Sequence, residues 1–225
     1  ADYDQIELRV MAMFSQDKQM RRIFKNNEDI HAGAAALLYG KPVEEVTSEE
    51  RQVGKGVNFL TAYGGGAGKL ANTTGISLDQ AKHMIDMYYK QFSGLTAWKR
   101  EVVSIGRVRG YVSTISGRRR RLPELLSEDD FLRSRAERQA VNAVVQGSAA
   151  DICKQAMIDI ADVISGTNAQ LLVQVHDELI VSIPEDLVDE LTPKLMEAMG
   201  HGRVIDGVPL VVSCDSAYSW AEAKG

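Results

Sequence analysis

The sequence predicts an α+β fold, with long helices in the middle of the chain and an antiparallel β-hairpin near its C-terminal end. Three segments support it: two stretches with helical periodicity, residues 48–63 and 131–164, and two strand-like runs within residues 169–183. Helices and strands that occupy separate stretches of one chain are typical of the α+β class.

The composition is that of a globular protein large enough to bury a core. The 225 residues are 44% hydrophobic and 25% charged. Charged residues interrupt every apolar run among the first thirty positions, so we expect neither a signal peptide nor a membrane span. Cys153 and Cys214 have no partner at metal-ligand spacing, which predicts free buried thiols in the cytosol or a comparable reducing compartment.

The net charge of -5 hides a division along the chain. Residues 99–138 hold eleven Lys and Arg against six Asp and Glu, whereas residues 177–225 hold three against ten. The basic region is suited to a phosphate backbone. The acidic region is suited to cations, or serves only to keep the surface charged.

The first helical stretch carries a stripe of two cations followed by two aromatic rings. Arg51, Lys55, Phe59 and Tyr63 are spaced by four residues, and a step of four advances only about 40° around a helix. This order fits a nucleoside triphosphate lying along the helix, with its phosphates at one end and its base at the other. The alternative is a solvated amphipathic helix whose aromatic end enters the core.

The boundaries of this helix are signalled by its sequence. Thr47 and Glu50 form a capping box, and Gly64–Gly66 supplies an end. Gly54 and Gly56 lie inside the helix, where each costs about 1 kcal/mol relative to alanine. Their presence indicates that something bulky approaches the backbone.

The hairpin places His176 and Asp177 at its tip, between runs 169–175 and 178–183. An acidic residue there can meet a second carboxylate, for which Asp2 is the candidate, and the pair could hold magnesium. Two such ions about 4 Å apart suit in-line phosphoryl transfer. The alternative is that Asp177 only caps the turn.

Three motifs then coincide, and together they make the chain resemble family A, or polymerase-I-like, DNA polymerases. Residues 2–9 resemble the family's motif A, residues 51–64 its motif B and residues 174–178 its motif C, in the same order and at matching spacing. The similarity continues through residues 29–31, 117–123 and 145–151 and covers essentially the whole chain.

The resemblance implies roles for individual residues. Asp2 and Asp177, with the carbonyl of Tyr3, would bind two catalytic Mg²⁺ ions. The triphosphate would be contacted by His31, Arg51 and Lys55, and Lys55 would also donate a proton to pyrophosphate. Phe59 and Tyr63 would stack on the sugar and base, and Glu7 would exclude a ribose 2′-hydroxyl.

DNA contacts are implied on the second long helix and in the basic region. Arg138, Asn142 and Gln146 repeat every four residues, and in the family such residues read the minor groove near the primer end. The run Arg118–Arg121, of which we single out Arg118 and Arg119, would hold phosphates, and His176 would also contact DNA. The alternatives are a solvated helix face and an exposed basic loop.

The resemblance also implies a domain plan. Residues 1–10 would belong to the palm, residues 11–158 to a helical fingers insertion, and residues 159–225 to the palm again. By this resemblance, the thumb and the first part of the palm would be missing from the chain. Because only Ala1 precedes Asp2, we expect the strand that positions this aspartate to be absent and Asp2 to lie on a frayed end.

Two functions remain open. The first is a template-directed DNA polymerase that acts on primer-template DNA and deoxynucleoside triphosphates, of cellular or viral origin. It would need an N-terminal fragment that carries the thumb and the rest of the palm. The second is a nonenzymatic module that binds DNA or a nucleotide.

Overall fold

A computed structural model describes residues 1–223, and within this range the chain forms ten α-helices and eight short β-strands. The predicted α+β class is confirmed. The helices are α1 (Ile6–Ser15), α2 (Lys18–Lys25), α3 (Ile30–Tyr39), α4 (Ser48–Ala62), α5 (Ala67–Thr74), α6 (Leu78–Gln91), α7 (Ser93–Arg109), α8 (Asp130–Val163), α9 (Val188–Ala198) and α10 (Trp220–Ala223). The strands are β1 (Asp2–Tyr3), β2 (Tyr111–Ser113), β3 (Arg119–Arg121), β4 (Gln170–Val175), β5 (Glu178–Ser182), β6 (Val204–Ile205), β7 (Val208–Pro209) and β8 (Val212–Ser213).

The largest sheet has four antiparallel strands in the order β4-β5-β1-β8. Its two-residue strand β1 is paired on both sides, since Asp2 lies opposite Glu178 on β5 and opposite Ser213 on β8. The Ala1 amino group donates to the Leu179 carbonyl at 3.0 Å, and the Leu179 amide donates back to the Ala1 carbonyl at 2.8 Å. The expectation that Asp2 lies on a frayed end is therefore wrong.

Helix α1 carries the chain from this sheet into the helical region and is buried along most of its length. Its one buried cation, Arg9, donates from Nε to the Asp4 carbonyl and from Nη1 to the Pro209 carbonyl, both at 2.7 Å. The guanidinium also lies 4.7 Å from the centroid of the Phe24 ring. Arg9 thus connects α1 to the C-terminal strands.

Helix α8 is the long helix predicted at residues 131–164, and it packs against α1, α7 and α9. It continues across residue 158 as α1 continues across residue 10, so neither expected domain boundary falls at the end of an element. Within residues 1–223, no helix combines the length and the apolar character that crossing a bilayer requires. Of the two free cysteines, Cys153 on α8 is buried and Cys214 is only half-buried.

Helix α4 has the predicted boundaries. Thr47 and Glu50 form the reciprocal capping box, and the helix ends at Ala62, directly before the glycine-rich turn. The bulky neighbour of Gly54 is α3, because a β-carbon at this position would collide with the His31 carbonyl oxygen and lie 3.0 Å from the Ala35 amide nitrogen. The glycine lets the two helix backbones approach closely.

Gly54→Ala should therefore destabilise the protein by about 1–3 kcal/mol, because backbone atoms of α3 must move to make room for the methyl group. Gly33→Ala is the matched control: it lies inside α3 with open space around its Cα, and should stabilise the fold by about 0.5–1 kcal/mol. Urea unfolding of both variants measures the difference. Equal free energies of unfolding would contradict the packing argument.

Candidate functional site

The two predicted metal-binding aspartates lie beside each other, one on a strand and the other in the adjacent hairpin turn. Asp2 is on β1, Asp177 is at the tip of the β4–β5 hairpin, and the Tyr3 amide donates to the Asp177 carbonyl at 3.4 Å. Both carboxylates also act on the thiol of Cys153 in α8, whose pKa is raised to about 12 by burial first and by these two charges next. The structure thus brings Asp2 and Asp177 together beside α8.

Glu7, the predicted ribose gate, belongs to the same group of acids. Burial raises the pKa of Glu7, and the charge of Asp177 raises it further. A hydrogen bond with the Gln146 side chain and the proximity of His176 act in the opposite direction. Glu7 on α1, Gln146 on α8, and His176 and Asp177 in the hairpin turn are therefore near neighbours.

The hairpin tip has an unusual backbone. His176 has φ 55°, in the left-handed region that non-glycine residues adopt rarely, and the Gln174 side-chain amide donates to the His176 carbonyl at 2.8 Å. Strain of this kind persists where the surrounding structure imposes it, often at functional sites. This turn places Asp177 beside β1, where its carbonyl accepts from the Tyr3 amide.

The chemistry of these donors fits a hard divalent cation. Carboxylate and carbonyl oxygens are the ligands that Mg²⁺ prefers, and it commonly takes only one or two protein carboxylates. In the part of the chain that the structure describes, no group of three or more His, Cys, Asp or Glu side chains is arranged to hold a metal ion. The aspartate pair is the candidate on the chemistry of its oxygens, with water or a ligand completing the coordination.

The side chains of the α4 stripe contact an acidic partner or one another along the helix. Arg51 Nε donates to Asp29 Oδ2 at 2.5 Å, and Lys55 Nζ lies 6.0 Å from the centroid of the Phe59 ring. The Phe59 and Tyr63 rings are stacked with centroids 6.5 Å apart. Lys55 and Phe59 are exposed, so the middle of the stripe faces solvent and does not enter the core.

His31, on α3, lies beneath the stripe with its ring against Phe59 at a centroid distance of 5.8 Å. The Asn58 side-chain NH₂ donates to the Ile30 carbonyl at 3.1 Å, which fixes the amide orientation, and it also lies 2.9 Å from His31 Nδ1. Nδ1 therefore accepts, and the ring proton is on Nε2. Burial lowers the pKa of His31 to about 4, so the ring is a neutral donor at neutral pH.

The polar line on α8, formed by Arg138, Asn142 and Gln146, extends from the end of the α4 stripe to the acidic group around Glu7. Arg138 and Asn142 line a cavity of about 490 Å³ that also borders Tyr63 at the end of α4, whereas Gln146 reaches Glu7. Asn142 Oδ1 is buried without a hydrogen-bond partner among the described residues. The line thus runs from the end of the α4 stripe to the acidic group, which a purely solvated face would not do.

The basic run divides into two parts. Arg118 donates to Asp151 Oδ1 at 2.5 Å and to the Gly147 carbonyl at 2.9 Å, which ties its loop to α8. Arg119 stacks over the Tyr111 ring at 4.7 Å, and all three residues of β3, Arg119–Arg121, are exposed. The three arginines of β3 are therefore exposed to an anionic ligand, whereas Arg118 forms an ion pair with Asp151.

Sequence reasoning missed several residues that shape this site. Asp29 had a local signal, because it precedes His31 by two positions and caps α3 in the manner typical of aspartate. The others act through partners distant in sequence, so their contacts carried no local signal, although three of them lie in segments that resemble the family. They are Asn58, Lys99, Asp151 and Glu178, which contact or face residues 27 to 176 positions away.

Comparison with known proteins identifies the relatives of this chain. The family model described as DNA polymerase family A matches residues 1–222. The chain is 41% identical over 224 residues to the thermostable DNA polymerase I of Thermus filiformis and 42% identical over 226 residues to DNA polymerase I of Bacillus subtilis. All of the chain is covered, but only 27% and 26% of those proteins, so it spans about a quarter of their length.

A solved structure is similar throughout. The POL domain of Pol1 from M. smegmatis, in a complex with DNA primer-template and dNTP, has a TM-score of 0.93 and 42% identity. The match covers 100% of this chain and 40% of that chain.

We expect the His31 imidazole to titrate with a pKa of about 4, which NMR of its ring resonances measures. The unfolded chain, with a histidine pKa of about 6.5, then binds more protons than the folded state between these values. Stability is consequently lost as pH falls from 6.5 towards 4. His31→Gln should lose less stability over this range, by up to about 3 kcal/mol; an imidazole that titrates near 6.5 would contradict the buried neutral ring.

Proposed function

The chain belongs to DNA polymerase family A, and we propose that it forms the part of a template-directed DNA polymerase that joins a deoxynucleotide to a primer 3′-hydroxyl. The observation that carries this proposal is the meeting of Asp2 and Asp177, together with a polar line on α8 that runs from this acidic group to the end of the α4 stripe. On its own, such a stripe is also explained by a solvated amphipathic helix. A stripe of cations and rings that α8 connects to a pair of acids is suited to phosphoryl transfer.

In this proposal Asp2, Asp177 and the Tyr3 carbonyl hold two magnesium ions. Such ions, when bound, make the primer hydroxyl a better nucleophile and stabilise the charge on the leaving pyrophosphate. The electrostatics support the assignment, because the pKa of Glu7 is raised by burial first and by the charge of Asp177 next, and a divalent cation relieves this concentration of negative charge.

The triphosphate is assigned to Arg51, Lys55 and His31. Arg51 would exchange Asp29 for a phosphate oxygen, and His31 would donate from Nε2 without carrying a charge. Lys55 is exposed at the centre of the stripe, where its ammonium can hold the proton that passes to pyrophosphate.

The sugar and base are assigned to the aromatic half of the stripe. Phe59 and Tyr63 offer two nearly parallel ring faces, with an interplanar angle of 11°. Glu7 would exclude a 2′-hydroxyl, and its hydrogen bond with Gln146 supports a fixed position for this side chain.

DNA is assigned to the α8 line and the exposed basic strand. Arg138, Asn142 and Gln146 would contact minor-groove acceptors that all base pairs share, which permits binding without sequence preference. His176 lies at the same acidic group as Gln146. Arg119 and its neighbours on β3 would hold phosphates, whereas Arg118 would act mainly by fixing that strand.

The domain plan is part of the proposal: residues 1–10 and 159–225 as palm and residues 11–158 as fingers, completed by an N-terminal fragment with the thumb and the rest of the palm. Residues 224–225 lie outside the described residues. One observation supports a covering segment. Strand β4 is at the edge of the sheet, and its Leu172 and Val173 are 57% and 45% exposed.

The test is primer extension with magnesium and four deoxynucleotides. The chain is assayed alone, with the upstream polymerase region of a relative, and as a chimaera that replaces the matched segment of the Bacillus subtilis enzyme. We expect extension in a completed form, and Asp177→Asn should reduce it by roughly three orders of magnitude. Asp186→Asn removes an exposed acid from a turn and should leave extension unchanged.

Failure to extend in every form would count against the polymerase. DNA or nucleotide binding that persists in Asp2→Ala and Asp177→Ala, without turnover, would instead support the nonenzymatic module.

Lys55→Ala should lower nucleotide incorporation by roughly a hundredfold or more while DNA affinity stays near the wild-type value, because the proposed partner of Lys55 is a phosphate of the nucleotide. Lys69→Ala, on the exposed face of α5, is the matched control and should change neither. Single-turnover kinetics and DNA titration measure the two quantities. Losses of equal size in both would refute the assignment.

A further inference from the structure

Lys99, on α7, is a partly buried lysine that the proposed chemistry does not use. Its Nζ donates to the Thr61 carbonyl, in the last turn of α4, and lies 5.6 Å from the centroid of the Tyr89 ring. Thr61 precedes Tyr63 by two residues. Lys99 therefore contacts the nucleotide stripe at the end that carries its rings.

The contact has a clear physical effect on α4. The last four carbonyls of a helix lack partners within the helix and carry its negative dipole end, so an ammonium there both donates a hydrogen bond and neutralises charge. On the other side, a β-carbon at Gly64 would lie 2.8 Å from Arg138 Cγ, so the turn after α4 is packed against α8. The end of α4 is thus held from α7 and from α8.

We propose that Lys99 is a positioning residue, which fixes the end of α4 and thereby sets the place of Tyr63 and Phe59 for the base of the incoming nucleotide. The inference rests on the proposed function. Without the contact, the end of α4 loses its hold from α7 while the packing of Gly64 against Arg138 remains, so the Tyr63 ring is less firmly placed relative to the cavity on α8.

Burial lowers the pKa of Lys99 to about 8, so the ammonium loses its proton within an accessible pH range. The neutral amine is a weaker donor, and the hold on Thr61 relaxes. The acid nearest in the cavity lining, Glu137, is paired with Arg107. Other charged or titratable groups in the cavity lining around Lys99 are Tyr63, Tyr89, Arg100 and Arg138.

The experiment compares Lys99→Met, Lys99→Arg and the exposed control Lys90→Met in the completed polymerase from pH 6.5 to 9.5. Lys99→Met should raise the nucleotide KM about tenfold, with kcat and DNA affinity little changed. The wild-type KM should rise as pH passes about 8, whereas Lys99→Met stays high at every pH and Lys99→Arg stays low. A Lys99→Met profile that overlays the wild type overturns the inference.

Amide hydrogen exchange at residues 62–65 separates this inference from the proposed function, because it needs no turnover. Exchange in the chain itself should be several-fold faster in Lys99→Met than in Lys90→Met. Unchanged exchange overturns the role of Lys99 even when primers are extended. Faster exchange in a protein whose wild type extends no primer overturns the proposed function and supports the contact with α4.

Discussion

The insertion of β1 between β5 and β8 is the constraint on which the candidate site depends. Two residues form this strand, yet backbone hydrogen bonds hold it on both edges, and the Tyr3 hydroxyl donates to the Met199 carbonyl at 2.7 Å. Because each buried backbone group has a partner, a short strand can keep a fixed place. This pairing places Asp2 beside Asp177. The chain then continues into α1, which is buried against α7 and α8.

The helical half of the site depends on the close approach of α3 and α4. Gly54 removes the side chain that would separate the two backbones, so His31 lies directly beneath the stripe. Asn58 then fixes the tautomer of the ring, and burial keeps it neutral. The cationic end of the stripe therefore combines two cations with one uncharged donor, which limits the repulsion among them.

The local features of the fold could be predicted from the sequence, and the long-range ones could not. The capping box of α4, the hairpin at residues 170–182 and the length of α8 follow from patterns within a few residues. By contrast, the partner of Gly54 is another helix, and the bonds of Asp151 and Lys99 cross 33 and 38 residues. No periodicity reports such contacts.

In the candidate site too, local patterns in the sequence predicted some features, and long-range contacts determined the others. The spacing of Arg51, Lys55, Phe59 and Tyr63 was visible in the sequence, whereas the commitment of Arg51 to Asp29 was not. The frayed end expected for Asp2 was wrong, since a strand of two residues gives no signal and exists only through its partners. Long-range pairing fixed what local patterns left open.

The two oxygens of the Asp29 carboxylate serve different neighbours. Oδ1 accepts from the His31 and Ala32 amides at 2.8 and 3.1 Å, whereas Oδ2 holds Arg51. Arg51 and Asp29 are partly exposed, and ion pairs in such positions contribute only about 0–1 kcal/mol. The arginine can therefore swing to a new anionic partner at little cost, while the other oxygen still clamps the first turn of α3 and keeps the histidine from shifting.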